Sequence, residues 1–210
     1  MLGKSDYALE RTGGWDTLGM RGTCSDGYML RANARGGQIV PGSYADISAQ
    51  TMLPTSHVVW GALWLGIATD AMTRARAFAR AEARKRPGGG GPTGLRLAEG
   101  ADLLHRMRAI VESGLRRYER VADSPDELGG LAFAAGMNLL KTGAAQLVVE
   151  VVGKALAVCG IAGYRNDSPY SLARHLRDAH SAALMVANDR ILANTAGLLL
   201  ALRDDSEVFA

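Results

Sequence analysis

From about Pro125 to Val158 the chain is apolar almost all round. Leu139, Leu140, Leu147, Val148, Val149, Val151, Val152 and Leu156 leave no continuous polar face. A helix of that kind is stable only when neighbours cover it on every side. The rest of the fold must therefore supply those neighbours, and the sequence offers three. Thr55 to Arg86 reads as a helix that follows Pro54, with Thr55 or Ser56 as cap and an apolar stripe of Val59, Leu63, Ile67 and Ala71 widened by Trp60 and Trp64. Leu95 to Ala122 places Leu103, Leu104, Met107, Ile110, Val111, Leu115 and Tyr118 at i, i+3, i+4 steps. A last helix spans Ala187 to Leu202, with Ile191, Leu192, Thr195, Leu198 and Leu199 inward and an acidic tail, Asp204 to Glu207. The Gly88 to Gly91 run followed by Pro92 is a linker rather than a phosphate loop, since no strand precedes it and no Gly-Lys-Ser/Thr follows. The expected fold is mainly α, an up-down four-helix bundle.

Residues 1 to 50 differ from the rest. Gly13-Gly14, Asp26-Gly27, Gly36-Gly37 and Pro41-Gly42 punctuate three or four short strands, and alternation over Tyr28 to Asn33 gives two faces. So small a sheet is marginal alone and leaves unpaired edges, so it must pack on the helices or pair with another chain. The organisation read is a β-strand segment over 1–50 and a helical bundle over 51–210.

Composition narrows the function classes. The net charge is +3 and the basic residues are interleaved with acids, so nothing points to nucleic acid. Cys24 and Cys159 lie far apart, form no metal spacing and read as reduced thiols of a cytoplasmic protein. No secretory signal or charge-free transmembrane run is read, hence no membrane partner.

The densest run of unusual residues is Cys159 to Ile191. Gly160 and Gly163 end the apolar helix, Tyr164 to Asp167 form a loop, and Ser168-Pro169 reads as the start of a short helix carrying Arg174, Arg177 and Asp178, with 174 and 178 on one face. Gly160, Gly163, Tyr164, Pro169 and Arg177-Asp178-Ala179 resemble the C-terminal region of the acyl-CoA dehydrogenase family. Gly14 to Ser25, with Leu18-Gly19-Met20-Arg21, resembles the last strands of that family's middle β-domain. The resemblance covers nearly the whole chain and leaves out the family's N-terminal helical domain and the first half of its β-domain.

It departs from the pattern at Ala157, where the family has Gln, at Ile161, where it has Gly, and in two extra residues before Arg177. The family's catalytic Glu is replaced by Val186, Ala187 and Asn188, and its alternative position reads Ser56. Ser cannot act as a general base at neutral pH. No catalytic residue is assigned; Asp189 and His180 are the nearest candidates, each set against a purely structural role. His180 is included because some flavin monooxygenases on the same scaffold use a His nearby. The resemblance implies FAD as cofactor, with Arg84 at the end of the first long helix and the Gly160–Gly163 loop as cofactor-binding residues; no Cys/His/carboxylate cluster has metal spacing, so no metal is expected. It implies an oxidoreductase of acyl-CoA and fatty acid metabolism that is incomplete alone. The alternatives are a non-catalytic partner or truncated product, and a flavin monooxygenase. As partners it implies a homo-oligomer, or a hetero-oligomer with a full-length relative.

Overall fold

A computed structural model describes residues 1–85 and 91–203. Two strands, β1 (Tyr7–Gly13) and β2 (Gly27–Ala32), precede eight helices: α1 (Tyr44–Ile47), α2 (Leu53–Lys85), α3 (Gly91–Val121), α4 (Pro125–Leu128), α5 (Leu131–Cys159), α6 (Ile161–Tyr164), α7 (Ala173–Ala179) and α8 (Asn188–Ala201). The predicted residues 86 to 90 of the first helix end and linker, and the tail after Arg203, lie outside the described residues.

α5 is the centre of the bundle, packing against α2, α3 and α8, while α2 also packs on α3. The directions follow from the contacts. Gly61 lies against Val111 and Gly100 against Met72, so α2 and α3 run antiparallel. Gly114 abuts Leu140 and Gly100 abuts Lys154, so α3 and α5 do too. Asn138 bonds Asn194 and Lys141 bonds Asn188, which sets α8 antiparallel to α5. This is the up-down four-helix bundle that the periodicities require. α5 is the one helix among the described residues long and apolar enough to cross a bilayer. Here its apolar residues form the core instead, with Val148, Val151, Val152 and Ala155 sealed from solvent.

The inward face of α2 keeps Ala71 and Trp64 of the predicted stripe but not Val59 and Leu63. Val58, Gly61, Trp64, Ala68, Ala71, Met72 and Ala75 are buried, whereas Val59 is 56% and Leu63 44% exposed. The helix has apolar residues on two faces, and the small residues decide between them. A Cβ on Gly61 would lie 3.0 Å from Leu140, so only the Gly/Ala face permits this approach to α5. Leu192 and Leu199 of α8, predicted inward, are likewise exposed, because the buried side of α8 is Asn188, Ile191 and Thr195. Leu115 is exposed beside the buried Gly114 for the same reason.

Several boundaries also move. Helix starts at Tyr44, not Thr55: Ser43 Oγ accepts the Asp46 N–H at 3.1 Å, and a π-helical turn over Ser48–Met52 leads into a helix that continues through Pro54. α3 starts at Gly91 rather than Leu95, with Pro92 in its first turn. The third predicted helix is broken at Gly129-Gly130, where Gly130 is extended, leaving α4 as a separate turn. Ser168-Pro169 forms a turn, with Ser168 Oγ accepting from Tyr170 N–H, and the helix begins at Ala173.

Instead of three or four strands there are two, paired antiparallel from Tyr7↔Ala32 to Gly13↔Gly27, with Arg21–Thr23 and Gly36–Gln38 as 3-10 turns. Every residue of both strands is exposed. What docks on the bundle is the loop between them, and that loop builds the site.

Candidate functional site

The loop Gly14 to Asp26 is stiffened from within. Trp15 Nε1–H donates to the Met20 carbonyl at 2.9 Å, Thr17 Oγ1 donates to the Gly19 carbonyl at 2.8 Å, and Arg21 bonds Asp16 at 2.7 Å. Met20 and Cys24 hold left-handed backbone, which turns the chain back on itself. The loop then seats on α7. Met20 N–H donates to Asp178 Oδ1 at 2.7 Å, and Gly19 lies so close that a Cβ there would stand 2.2 Å from the Arg177 carbonyl oxygen. Asp178 is therefore a clamp between parts of the chain 158 residues apart.

Between loop, α2 and α7 lies a cleft of about 630 Å³, well within the range of ~300–1,000 Å³ of small-molecule sites. Its apolar wall is Leu63, Ile67 and Met20, so the edge of the α2 stripe beyond the core faces this space. Its polar wall is Asp70, Arg174, His175 and Arg177. Gly66 lines it too, and a Cβ there would meet no atom within 4 Å, so this glycine holds the cleft open.

His175 is buried, and its Nε2 lies 2.6 Å from Asp70 Oδ2. The same oxygen accepts from Arg74 Nε at 2.9 Å, and Arg74 reaches on to the Ser171 carbonyl. The Arg74 guanidinium, and then His175, hold the Asp70 carboxyl below its usual range. His175 Nδ1 is enclosed with no partner in the protein. Asp70, His175 and Arg74 were not singled out from the sequence as a group. They lie on two helices about a hundred residues apart, and only α2·α7 packing joins them.

A second, more apolar cleft of about 510 Å³ adjoins the first through Met20, Thr23 and Arg177, and is walled by Trp15, Leu18, Ser181, Leu184 and Met185. His180 lines this second cleft and is exposed. Its floor is fixed from below by Lys141, a wholly buried lysine in the middle of α5. Lys141 Nζ donates to the carbonyls of Ala182 (3.0 Å) and Met185 (2.5 Å) and to Asn188 Oδ1 (2.6 Å), and lies over the Trp64 ring. Burial pushes it down to about 8. The turns it holds end in Val186 and Ala187, both left-handed. Lys141 was not singled out from the sequence; a Lys directly after Leu139-Leu140 in the most apolar helix is the signal that points to it.

The other predicted residues lie apart. Asp189 is exposed in the first turn of α8 and lines neither cleft. Arg84 is exposed in the last turn of α2. Gly160 ends α5 with φ +54°, and Gly163 is buried against Cys159 and Leu156, lining a smaller cavity of about 290 Å³ with Tyr164 and Arg177. Ser56 and His57 diverge as adjacent helical residues must: Ser56 Oγ donates to the Leu53 carbonyl, while His57 is buried against the Met137 carbonyl. Both cysteines are free, and among the described residues no His, Cys, Asp and Glu group could hold a metal.

The sequence model of the acyl-CoA dehydrogenase C-terminal domain matches residues 48–196. The chain belongs to the acyl-CoA dehydrogenase family. Its fold is similar to that of an acyl-CoA dehydrogenase from Slackia heliotrinireducens (TM-score 0.71, 19% identity, 94% of this chain and 50% of that one). It is similar also to XiaF from Streptomyces sp., solved with FADH2 and glycerol (TM-score 0.68, 20% identity, 94% and 54%). A third is the HsaA monooxygenase from M. tuberculosis (TM-score 0.72, 18% identity, 95% and 56%). The chain thus spans about half the length of these structures. A comparison with curated protein sequences finds no significant match.

Proposed function

We propose that this chain supplies the bundle side of a flavin-dependent oxidoreductase site, acyl-CoA dehydrogenase-like in construction. The observation that carries the reading is the clamped cleft. It places backbone and guanidinium groups along one edge of an apolar slot, which suits a flat ring with polar margins. FAD, when bound, supplies the electron-accepting chemistry. The chain's residues bind, orient and exclude water: Leu63 and Ile67 against the flat body, the Met20 to Thr23 backbone and Arg177 along its edge. Arg84 and the Gly160–Gly163 loop are the contacts proposed for the cofactor's anionic part.

The site is shared. Both faces of the hairpin are exposed, with Leu9, Tyr28, Met29 and Leu30 each at least half exposed. A further polypeptide, a second copy or a longer relative, covers them. The free thiols suit a cytoplasmic setting. Acyl-CoA is the substrate proposed first. A monooxygenase is favoured by one observation: no carboxylate stands at Val186 to Asn188, while His180 lines the adjoining cleft beside Arg177.

The test is the visible spectrum and light-scattering mass of the purified chain after incubation with excess FAD and desalting. A retained flavin band, carried by an oligomer, is expected. Acyl-CoA-dependent bleaching then marks a dehydrogenase, and oxygen consumption with reduced flavin marks a monooxygenase. Colourless protein refutes flavin binding by this chain.

A further inference from the structure

Between α3 and α5 runs a groove of about 530 Å³ that shares no lining residue with either cleft. That volume is within the ~300–1,000 Å³ of small-molecule sites. Ala109 and Ile110 of α3 and Met137, Leu139 and Leu140 of α5 give it apolar walls. Its α3 wall, from Ala109 to Arg120, is about 16 Å long. Arg117 and Arg120 stand together at one end of it, beyond Gly114, where α3 rests on Leu140. Arg117 is half-buried, with its guanidinium 5.8 Å over the Phe133 ring. Burial, and then the like charge of Arg120, push Arg117 below its ordinary range. Both arginines also line a smaller cavity of about 330 Å³, which Glu127 of α4 shares with them. Among the described residues no carboxylate lines the groove itself. Two neighbouring cations at the end of an apolar slot are stabilised by an anion placed between them.

We propose that this groove binds an amphipathic carboxylate, an unbranched aliphatic chain with one anionic head, at a site separate from the flavin cleft. The head lies between Arg117 and Arg120, where planar guanidiniums donate to its oxygens in pairs. The chain runs from there along Leu139, Leu140 and Ile110 towards Ala109. The charge is at one end only, so it fixes which way the ligand points. Glu127 faces the arginines from the smaller cavity and repels an anion there, which keeps the head on the groove side. The apolar walls supply affinity in proportion to the chain they cover, and the arginine pair supplies the choice of anion over cation.

The probe is dodecanoate, titrated calorimetrically into the flavin-free chain below its micellar concentration. Saturable binding is expected, tightening up to about fourfold per methylene from octanoate to dodecanoate. Acetate, the head without the chain, and dodecyltrimethylammonium, the chain with the opposite charge, should not bind. Arg120 and Ala109 are exposed, so changing them leaves the core intact. Arg120→Gln should weaken dodecanoate about tenfold or more, the loss of hydrogen bonding to a charged group. Ala109→Trp, at the far end, should weaken dodecanoate and spare octanoate. Gly66→Leu, which fills the flavin cleft, should leave dodecanoate binding unchanged, and Arg120→Gln should leave flavin retention unchanged, so the two readings fail separately. Uptake that does not saturate, equal affinity for the cation, equal affinity of wild type and Arg120→Gln, or loss of binding in Gly66→Leu overturns the proposal. So does a change of light-scattering mass in Arg120→Gln, which would give the groove to a second copy of the chain.

Discussion

Gly19→Ala tests the architecture of the site most directly. Gly19 is not among the residues with left-handed backbone, so alanine is conformationally allowed and the effect is purely steric. The added Cβ would lie 2.2 Å from the Arg177 carbonyl oxygen, 2.5 Å from its carbon and 2.8 Å from the Asp178 nitrogen. All three are backbone atoms of α7, which cannot swing aside. The loop must back away by about 1 Å to reach van der Waals distance. That displacement breaks the 2.7 Å bond from Met20 N–H to Asp178 Oδ1. A hydrogen bond to a charged group contributes about 1.5–3 kcal/mol, so local opening should become about 10- to 150-fold easier. Amide hydrogen exchange reads this: Met20 should lose protection by that factor, while the α5 core amides keep theirs. Unchanged protection at Met20 would refute the claim that the loop's docking is fixed by Gly19 and Asp178.

Three further outcomes follow from the same geometry. Gly66→Leu fills open space, so it should block flavin binding while leaving the melting temperature equal or slightly higher, since glycine costs a helix interior about 0.8–1.0 kcal/mol. Lys141→Met leaves three buried acceptors unpaired and should lower stability in urea by about 3–5 kcal/mol at constant m; no loss would show that the lysine anchors nothing. Burial, which outweighs the bond to the Met137 carbonyl, pushes His57 down to about 4 from an ordinary 6.5. The unfolded chain therefore binds more protons between those values. Stability should fall as pH drops from about 6.5 through 4, by about 3 kcal/mol in all, and His57→Gln should flatten that slope in pH-dependent denaturation.

The sequence by itself determined the bundle. An all-round apolar helix must be surrounded, and the flanking periodicities supply the neighbours; these are local consequences of side-chain pattern. It determined the family too, because Gly160, Gly163 and Arg177-Asp178-Ala179 lie close together in the chain, in an order that can be read without the fold. How far the α2 stripe turns inward was not decided locally, because the apolar surface runs from Val59 and Leu63 round through Ala71 and Trp64 to Ala68. Close packing buried the side with Gly61, Trp64, Ala68 and Ala71, whose small residues let α5 approach, and left Leu63 and Ile67 to line the cleft. Nor could the sequence join Asp70 to His175, or Met20 to Asp178. Pairs 105 and 158 residues apart acquire chemistry only when α7 and the loop pack on α2, and no periodicity records which helices will meet there.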